Sequence, residues 1–78
     1  MKDALHYLVT SIVENDEAVE ISETEENGVL NFVIKVDTQD MGRIIGKNGK
    51  VIKAIRNVMK IPAMKNNKKV FISLAQDL

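Results

Sequence analysis

The 78-residue sequence predicts an α+β fold with the element order α-β-β-α-α-β: a three-stranded mixed sheet with all three helices on one face. Three observations carry this. Apolar residues recur at helical spacing near the N-terminus, alternate through the middle, return to helical spacing, and alternate again at the end. Asn27-Gly28 separates two alternating segments, and this pair is the strongest short hairpin signal. Gly46 and Gly49 bracket a two-residue turn between two helical segments.

Residues 3–15 read as an amphipathic helix. Leu5, Leu8, Val9, Ile12 and Val13 form its core stripe, and Asp3 is the expected N-cap. His6 and Tyr7 fall beside or off that stripe, so His6 reads as a surface residue. Residues 19–25 make a short strand with Val19 and Ile21 inward; Glu23 ends the apolar side. Its acidity suits a sheet edge, where charge discourages pairing with other chains. Residues 29–37 form the second strand, with Leu30, Phe32, Ile34 and Val36 on one face, and suit the centre of the sheet.

Asp37 or Thr38 caps a short helix that runs to residue 45. The turn occupies residues 46–49. The next helix covers residues 50–60, with Val51, Ile52, Ile55, Val58 and Met59 on its core stripe, and Pro62 is expected to stop it. Residues 63–69 read as a polar, basic loop, 70–74 as the last strand and 75–78 as a frayed end. Joining the second and third strands through two helices favours a right-handed crossover and a parallel pair, in strand order 1-2-3.

Composition narrows the function. The net charge of zero conceals a polarised chain: residues 1–40 hold ten acidic and two basic side chains, and residues 41–78 hold nine basic and one acidic. No carboxylate lies between Met41 and Lys69. A one-sided basic segment is a footprint for a polyanion. The chain has no cysteine, which excludes a disulfide framework, and its single histidine cannot build a zinc site alone, so no metal or cofactor is expected. No apolar run approaches the ~18 residues of a membrane span, and no signal-peptide pattern is present. The expectation is a single cytoplasmic domain over residues 1–78, with no membrane partner and no small-molecule substrate.

Enzyme motifs fail. A phosphate-binding P-loop would need glycine where Met41 stands and Ser or Thr where Asn48 stands. One histidine, three scattered serines and acids concentrated away from the basic half give no catalytic constellation. Of the three aromatics, Tyr7, Phe32 and Phe71, none lies near the turn, so base stacking is not expected to dominate, with Phe71 on the last strand the one exception.

What remains is the stretch Ile44-Ile45-Gly46-Lys47-Asn48-Gly49-Lys50-Val51-Ile52. Glycines without Cβ atoms let a ligand backbone approach closely, and the turn aims the first N–H groups of the following helix outward. With Lys47 inside the turn and Lys50 after it, the fitting ligand is phosphate. This stretch, in its α-β-β-α-α-β setting, resembles a KH domain of the type II arrangement, and the stand-alone size resembles the small bacterial KH RNA-binding proteins of the KhpA type. The resemblance implies single-stranded RNA as partner, RNA-chaperone activity, and a homodimer or a pair with a larger KH-containing protein. In that family the pair is linked to cell-wall homeostasis, cell length and division.

Carried over position by position, Gly46, Lys47, Asn48 and Gly49 are the clamp. Ile44, Ile45 and Ile52 are the groove's aliphatic floor, with plain core as the competing role, and Arg43, Lys50 and Lys53 supply rim charge. Lys65, Lys68 and Lys69 match the variable loop. Met59, Ile61, Pro62 and Met64 form an apolar cluster suited to a dimer surface or to packing under that loop. The alternative function is a protein-interaction module on the same scaffold with weak or no RNA binding.

Overall fold

The computed structural model describes residues 1–75. Helix α1 spans Lys2–Ile12, strands β1 and β2 span Glu20–Glu26 and Val29–Lys35, helices α2 and α3 span Met41–Ile45 and Lys50–Lys65, and strand β3 spans Lys69–Leu74. Short 3₁₀ turns at Asp16–Ala18, Thr38–Asp40 and Lys47–Gly49 link them. β1 pairs antiparallel with β2, β2 pairs parallel with β3, and the sheet order is β1-β2-β3, as expected.

Each element follows from its residues. Asn27 and Gly28 both adopt positive φ (53° and 78°), the conformation a two-residue hairpin needs to match the strand twist. On β2, Leu30, Phe32 and Ile34 are buried, with Val36 just beyond, while Asn31, Val33 and Lys35 are exposed. The helices therefore cover one face of the sheet, and the other stays open. Leu5 and Val9 of α1, Ile21, Ile44, Ile52, Ile55, Met59 and Ile72 complete the core around Phe32.

Several expectations are corrected. Met1, not Asp3, stands at the N-cap of α1, and no side chain caps it. Pro62 does not stop α3, which runs on to Lys65. A proline there forfeits one hydrogen bond, to the Val58 carbonyl. The helix instead ends at Asn67 (φ 54°): Lys68 N donates to the Ala63 carbonyl at 2.9 Å and Asn67 N to the Met64 carbonyl at 3.1 Å. This Schellman closure satisfies the last carbonyls, so the expected loop at 63–69 shrinks to a tight turn.

The extra turn of helix also settles the core stripe as Ile52, Ile55, Met59 and Ala63, which rotates Val58 out to solvent. Met59 is fully buried and so leaves the apolar surface cluster, of which Ile61 and Met64 are exposed and Pro62 half-buried, with Val58 exposed beside them. The frayed end expected from residue 75 onward lies outside the described residues apart from Ala75, whose N–H still bonds the Ile34 carbonyl. Among the described residues, no helix is long and apolar enough to cross a membrane, and no group of three metal-ligating side chains occurs.

Candidate nucleic-acid interface

The entry to the glycine turn is built on two aspartates. Asp37 accepts from Gln39 N at 2.9 Å and from Asn15 Nδ2 at 3.1 Å, capping the 3₁₀ turn that leads into α2. Asp40 is buried, and its carboxylate takes hydrogen bonds from Glu14 N and Asn15 N, each at 3.1 Å, and from Arg43 Nη1 at 2.9 Å. These bonds tie the exit of α1 to the start of α2. They also hold both carboxyls below the usual range. The main cause at Asp37 is the Gln39 N–H, then Asn15; at Asp40 it is the Asn15 and Glu14 N–H groups, opposed by burial and helped by Arg43.

Arg43, expected at the rim, is committed to this network: besides Asp40 it pairs with Glu14 Oε1 at 3.0 Å. It buttresses the turn from behind. No local signal marks this pairing, because β1 and β2 separate Glu14 from Arg43 along the chain.

The turn itself is as its residues require. Gly46 takes φ 75°, ψ 172°, and its N–H closes α2 onto the Gly42 carbonyl at 2.8 Å. A Cβ there would sit 2.4 Å from Val51 Cγ2 and 2.8 Å from the Val51 nitrogen, so only glycine fits. Asn48 and Gly49 both adopt the left-handed conformation (φ 58° and 74°), and Gly49 N bonds back to the Gly46 carbonyl at 3.1 Å. Asparagine is among the side chains that tolerate this conformation best.

Gly49 is the N-cap of the 16-residue α3, and no side chain caps it. The Lys50 N–H is taken by the Lys47 carbonyl, and no side chain caps the N–H groups that follow it in the first turn of α3, at the positive end of the helix dipole. Lys47, Asn48, Lys50 and Lys53 are all exposed around it.

The aliphatic trio divides. Ile44 is fully buried and Ile52 nearly so, both within the core, whereas Ile45 is 37% exposed beside the turn. Ile44 and Ile52 hold α2 against α3; Ile45 alone of the three offers open apolar surface.

Two adjoining clefts follow α3 away from the turn, between that helix and the free edge of β3. The first, about 330 Å³, is lined by Lys53, Asn57 and Lys60 on the helix and by Val70, Phe71 and Ile72 on the strand. Arg56 closes its wall by donating from Nε and Nη2 to the Ile72 carbonyl at 3.1 and 3.0 Å. The second, about 260 Å³, shares Lys60, Val70 and Phe71 and reaches Met64 and the turn at Lys68 and Lys69. Lys68 is already paired with Glu25 of β1. Of these residues the sequence analysis had singled out Lys53 for the groove and Lys68 and Lys69 for the loop. Phe71 stood there as the one aromatic open to stacking; Asn57, Lys60, Val70 and Ile72 were missed, although Lys53, Asn57, Lys60 and Met64 recur at i, i+4, i+7, i+11 on one helix face.

A family model described as "KhpA/KhpB, KH domain" matches residues 2–74. The chain is 41% identical over 74 residues to a protein of Clostridium perfringens named RNA-binding protein KhpA, covering 95% of this chain and 99% of that protein. Proteins of the same name in Chlamydia caviae and Oceanobacillus iheyensis are 38% identical over 77 residues and 34% over 74, each covered to 99%.

Proposed function

From the premise that this chain belongs to the KhpA/KhpB family of KH domains, we propose that it binds single-stranded RNA, clamping the sugar-phosphate backbone on residues 46–49. The relatives cited above are named for RNA binding and not for a reaction. The observation that carries the reading is the turn: two residues with exposed polar side chains, Lys47 and Asn48, held between glycines at the uncapped start of α3.

In this mechanism a phosphate oxygen accepts from the N–H groups that follow Lys50 in the first turn of α3, while the Lys47 and Lys50 side chains neutralise the charge. The absence of a side chain on Gly49, whose would-be Cβ meets nothing within 4 Å, lets the RNA backbone lie against the turn, while that on Gly46 makes room for Val51. Lys53 and Lys60 guide the strand along α3, and the bases enter the cleft against Val70 and Ile72, with Ile45 beside the turn. The Asp40–Arg43–Glu14 network keeps α2, and with it the turn, in place before RNA arrives, which lowers the ordering cost of binding.

Lys47→Asp with Asn48→Asp tests the clamp. Both side chains are exposed, so the fold should survive while two carboxylates take the place of the phosphate. Loss of most binding to single-stranded RNA in a gel-shift titration, with unchanged helicity, is expected; wild-type affinity would place the site elsewhere.

The finer reading has the chain as one KH domain over residues 1–78, acting in the cytoplasm as an RNA chaperone. It would do so as a homodimer or with a larger KH partner, in cell-wall homeostasis and control of cell length. The exposed stripe Val58 and Ile61 on α3 supports a protein contact and is what favours the second reading, an interaction module with weak RNA binding. Ile61→Asp should shift sedimentation toward monomer. A wild-type protein that stays monomeric at high micromolar concentration removes the homodimer.

A further inference from the structure

Asparagine is among the thermally labile residues. It loses its side-chain amide most readily before glycine, where no side chain shields the following nitrogen. The chain holds two Asn-Gly pairs, Asn27-Gly28 and Asn48-Gly49, and both asparagines are exposed. The second pair lies inside the glycine turn. In the closed turn the reaction is held off. Asn48 sits at φ 58°, ψ 26°, which points the Gly49 nitrogen away from the Asn48 side chain, and the Gly49 N–H is donated to the Gly46 carbonyl at 3.1 Å. None of Lys47, Asn48 and Gly49 is buried, so little packing opposes opening of the turn. Once it opens, the setting favours attack. Nothing stands within 4 Å of the position a Cβ on Gly49 would take. The negative charge that gathers on the amide oxygen develops between Lys47 and Lys50, at the positive end of α3. What suits a phosphate here suits this transition state too.

We propose that Asn48 is a site of spontaneous deamidation that switches the clamp off, and that bound RNA protects it. The Gly49 nitrogen attacks the side-chain carbonyl carbon of Asn48 and forms a C–N bond to it. The bond from that carbon to the side-chain nitrogen breaks, and the NH2 leaves as ammonia with the proton given up by the Gly49 nitrogen. Water then opens the cyclic imide. Cleavage of the bond to the side-chain carbonyl gives aspartate; cleavage of the bond to the main-chain carbonyl gives isoaspartate. The sum is asparagine plus water to a carboxylic acid plus ammonia, and no oxidant or other co-reactant enters.

Either product puts a carboxylate at residue 48, just before the N-cap Gly49, where it competes with phosphate for the start of α3. Isoaspartate also carries the main chain through the side-chain carbon, which lengthens the turn and removes the geometry that the two glycines hold. The chemistry stands on the Asn-Gly pair and its surroundings; its consequence rests on the RNA-binding reading. Protection follows from mass action. RNA that binds the closed turn and not the open one lowers the open population, roughly tenfold when free RNA stands at about ten times its Kd. The converted fraction then records how long the clamp has stood empty.

The test holds the full chain in warm, mildly alkaline buffer, with and without a single-stranded RNA of four nucleotides, the span a KH clamp holds, at about ten times its Kd. Peptide mass mapping follows residues 27 and 48 in the same samples. Asn27-Gly28 is the internal control. It lies beyond the far end of the 16-residue α3, about 24 Å of helix from the glycine turn, where the Gly28 carbonyl accepts from Lys69 N at 3.1 Å. The expected result is that RNA slows conversion at residue 48 roughly tenfold and leaves residue 27 unaffected. In gel shifts the RNA-binding fraction falls as the converted fraction at residue 48 rises, and freshly made Asn48→Asp binds more weakly than wild type. An Asn48 that stays intact while Asn27 converts overturns the proposal. So does an equal rate at residue 48 with and without RNA, or undiminished RNA binding by the converted protein. The clamp reading fails separately: it falls if Lys47→Asp with Asn48→Asp binds the short RNA like wild type. A wild type that binds no RNA removes both.

Discussion

The two glycines of the turn, Gly46 and Gly49, should differ in what they contribute to stability, and the difference can be worked out from their surroundings. Gly46 sits at φ 75°, ψ 172°, a region essentially reserved for glycine, and a Cβ would come within 2.4 Å of Val51 Cγ2 and 2.8 Å of Val51 Cβ and N. Backbone strain of this kind costs about 1–3 kcal/mol, and overpacking against a helix start adds about 1–3 kcal/mol. Gly49 sits at φ 74°, ψ 17°, with nothing within 4 Å of its would-be Cβ, so Gly49→Ala carries only the left-handed cost of about 1–2 kcal/mol. A domain of this size has roughly 4–12 kcal/mol in total, and each kcal/mol moves its melting midpoint by about 4–8 °C. Gly46→Ala should therefore melt roughly 10 °C or more below wild type, approaching outright unfolding, while Gly49→Ala loses about half as much and keeps its fold. Thermal and urea melts followed by circular dichroism, on both variants side by side, give the comparison. Equal midpoints for the two variants would refute the claim that the Val51 contact, and not the turn conformation alone, makes glycine necessary at position 46.

Three further outcomes follow from named contacts. If Lys47, Lys50, Lys53 and Lys60 are the cations that meet phosphates, log K for single-stranded RNA falls with log salt at a slope of about −2 to −3, and Glu25→Gln, which releases Lys68, steepens it by about 0.7; a slope near zero on filter binding removes charge as the driver. Folding lowers the pKa of Asp40, so the native state binds fewer protons there than the unfolded chain. The stabilisation is present above the ordinary carboxylate value and is lost as pH falls through the lowered one; urea midpoints measured from neutral pH downward should fall less steeply for Asp40→Asn, from a lower starting value, than for wild type. Pro62→Ala restores a donor to the Val58 carbonyl inside α3 and should raise the melting midpoint by several degrees; a drop would mean that the half-buried proline ring packs better than the missing hydrogen bond costs.

How much of the molecule was legible in its residues depends on the range of the interaction. The hairpin at Asn27-Gly28, the inward face of β2 and the glycine turn are decided by neighbours within a few positions, through backbone conformation and side-chain period. Each stands where the sequence put it. The parallel β2–β3 pair was legible too, because chirality leaves a two-helix crossover little choice.

Long-range contact decided the rest. Val58 and Met59 fit a helical stripe equally well by spacing, and only the sheet beneath α3, together with the buried Ala63 one turn on, selects Met59. The same packing carries the helix past Pro62, where local rules end it. Ile44 and Ile45 are chemically identical neighbours, yet the direction of α2 over the core buries one and exposes the other. Charges show the limit most clearly: Arg43 looks like a free cation in sequence, but Glu14 and Asp40 hold it, and Lys68 is held by Glu25. The sequence by itself determined a KH-type turn on a basic half-chain. The tertiary structure decided which cations remain free, and it made the cleft between α3 and β3, because both depend on residues that only the folded sheet brings together.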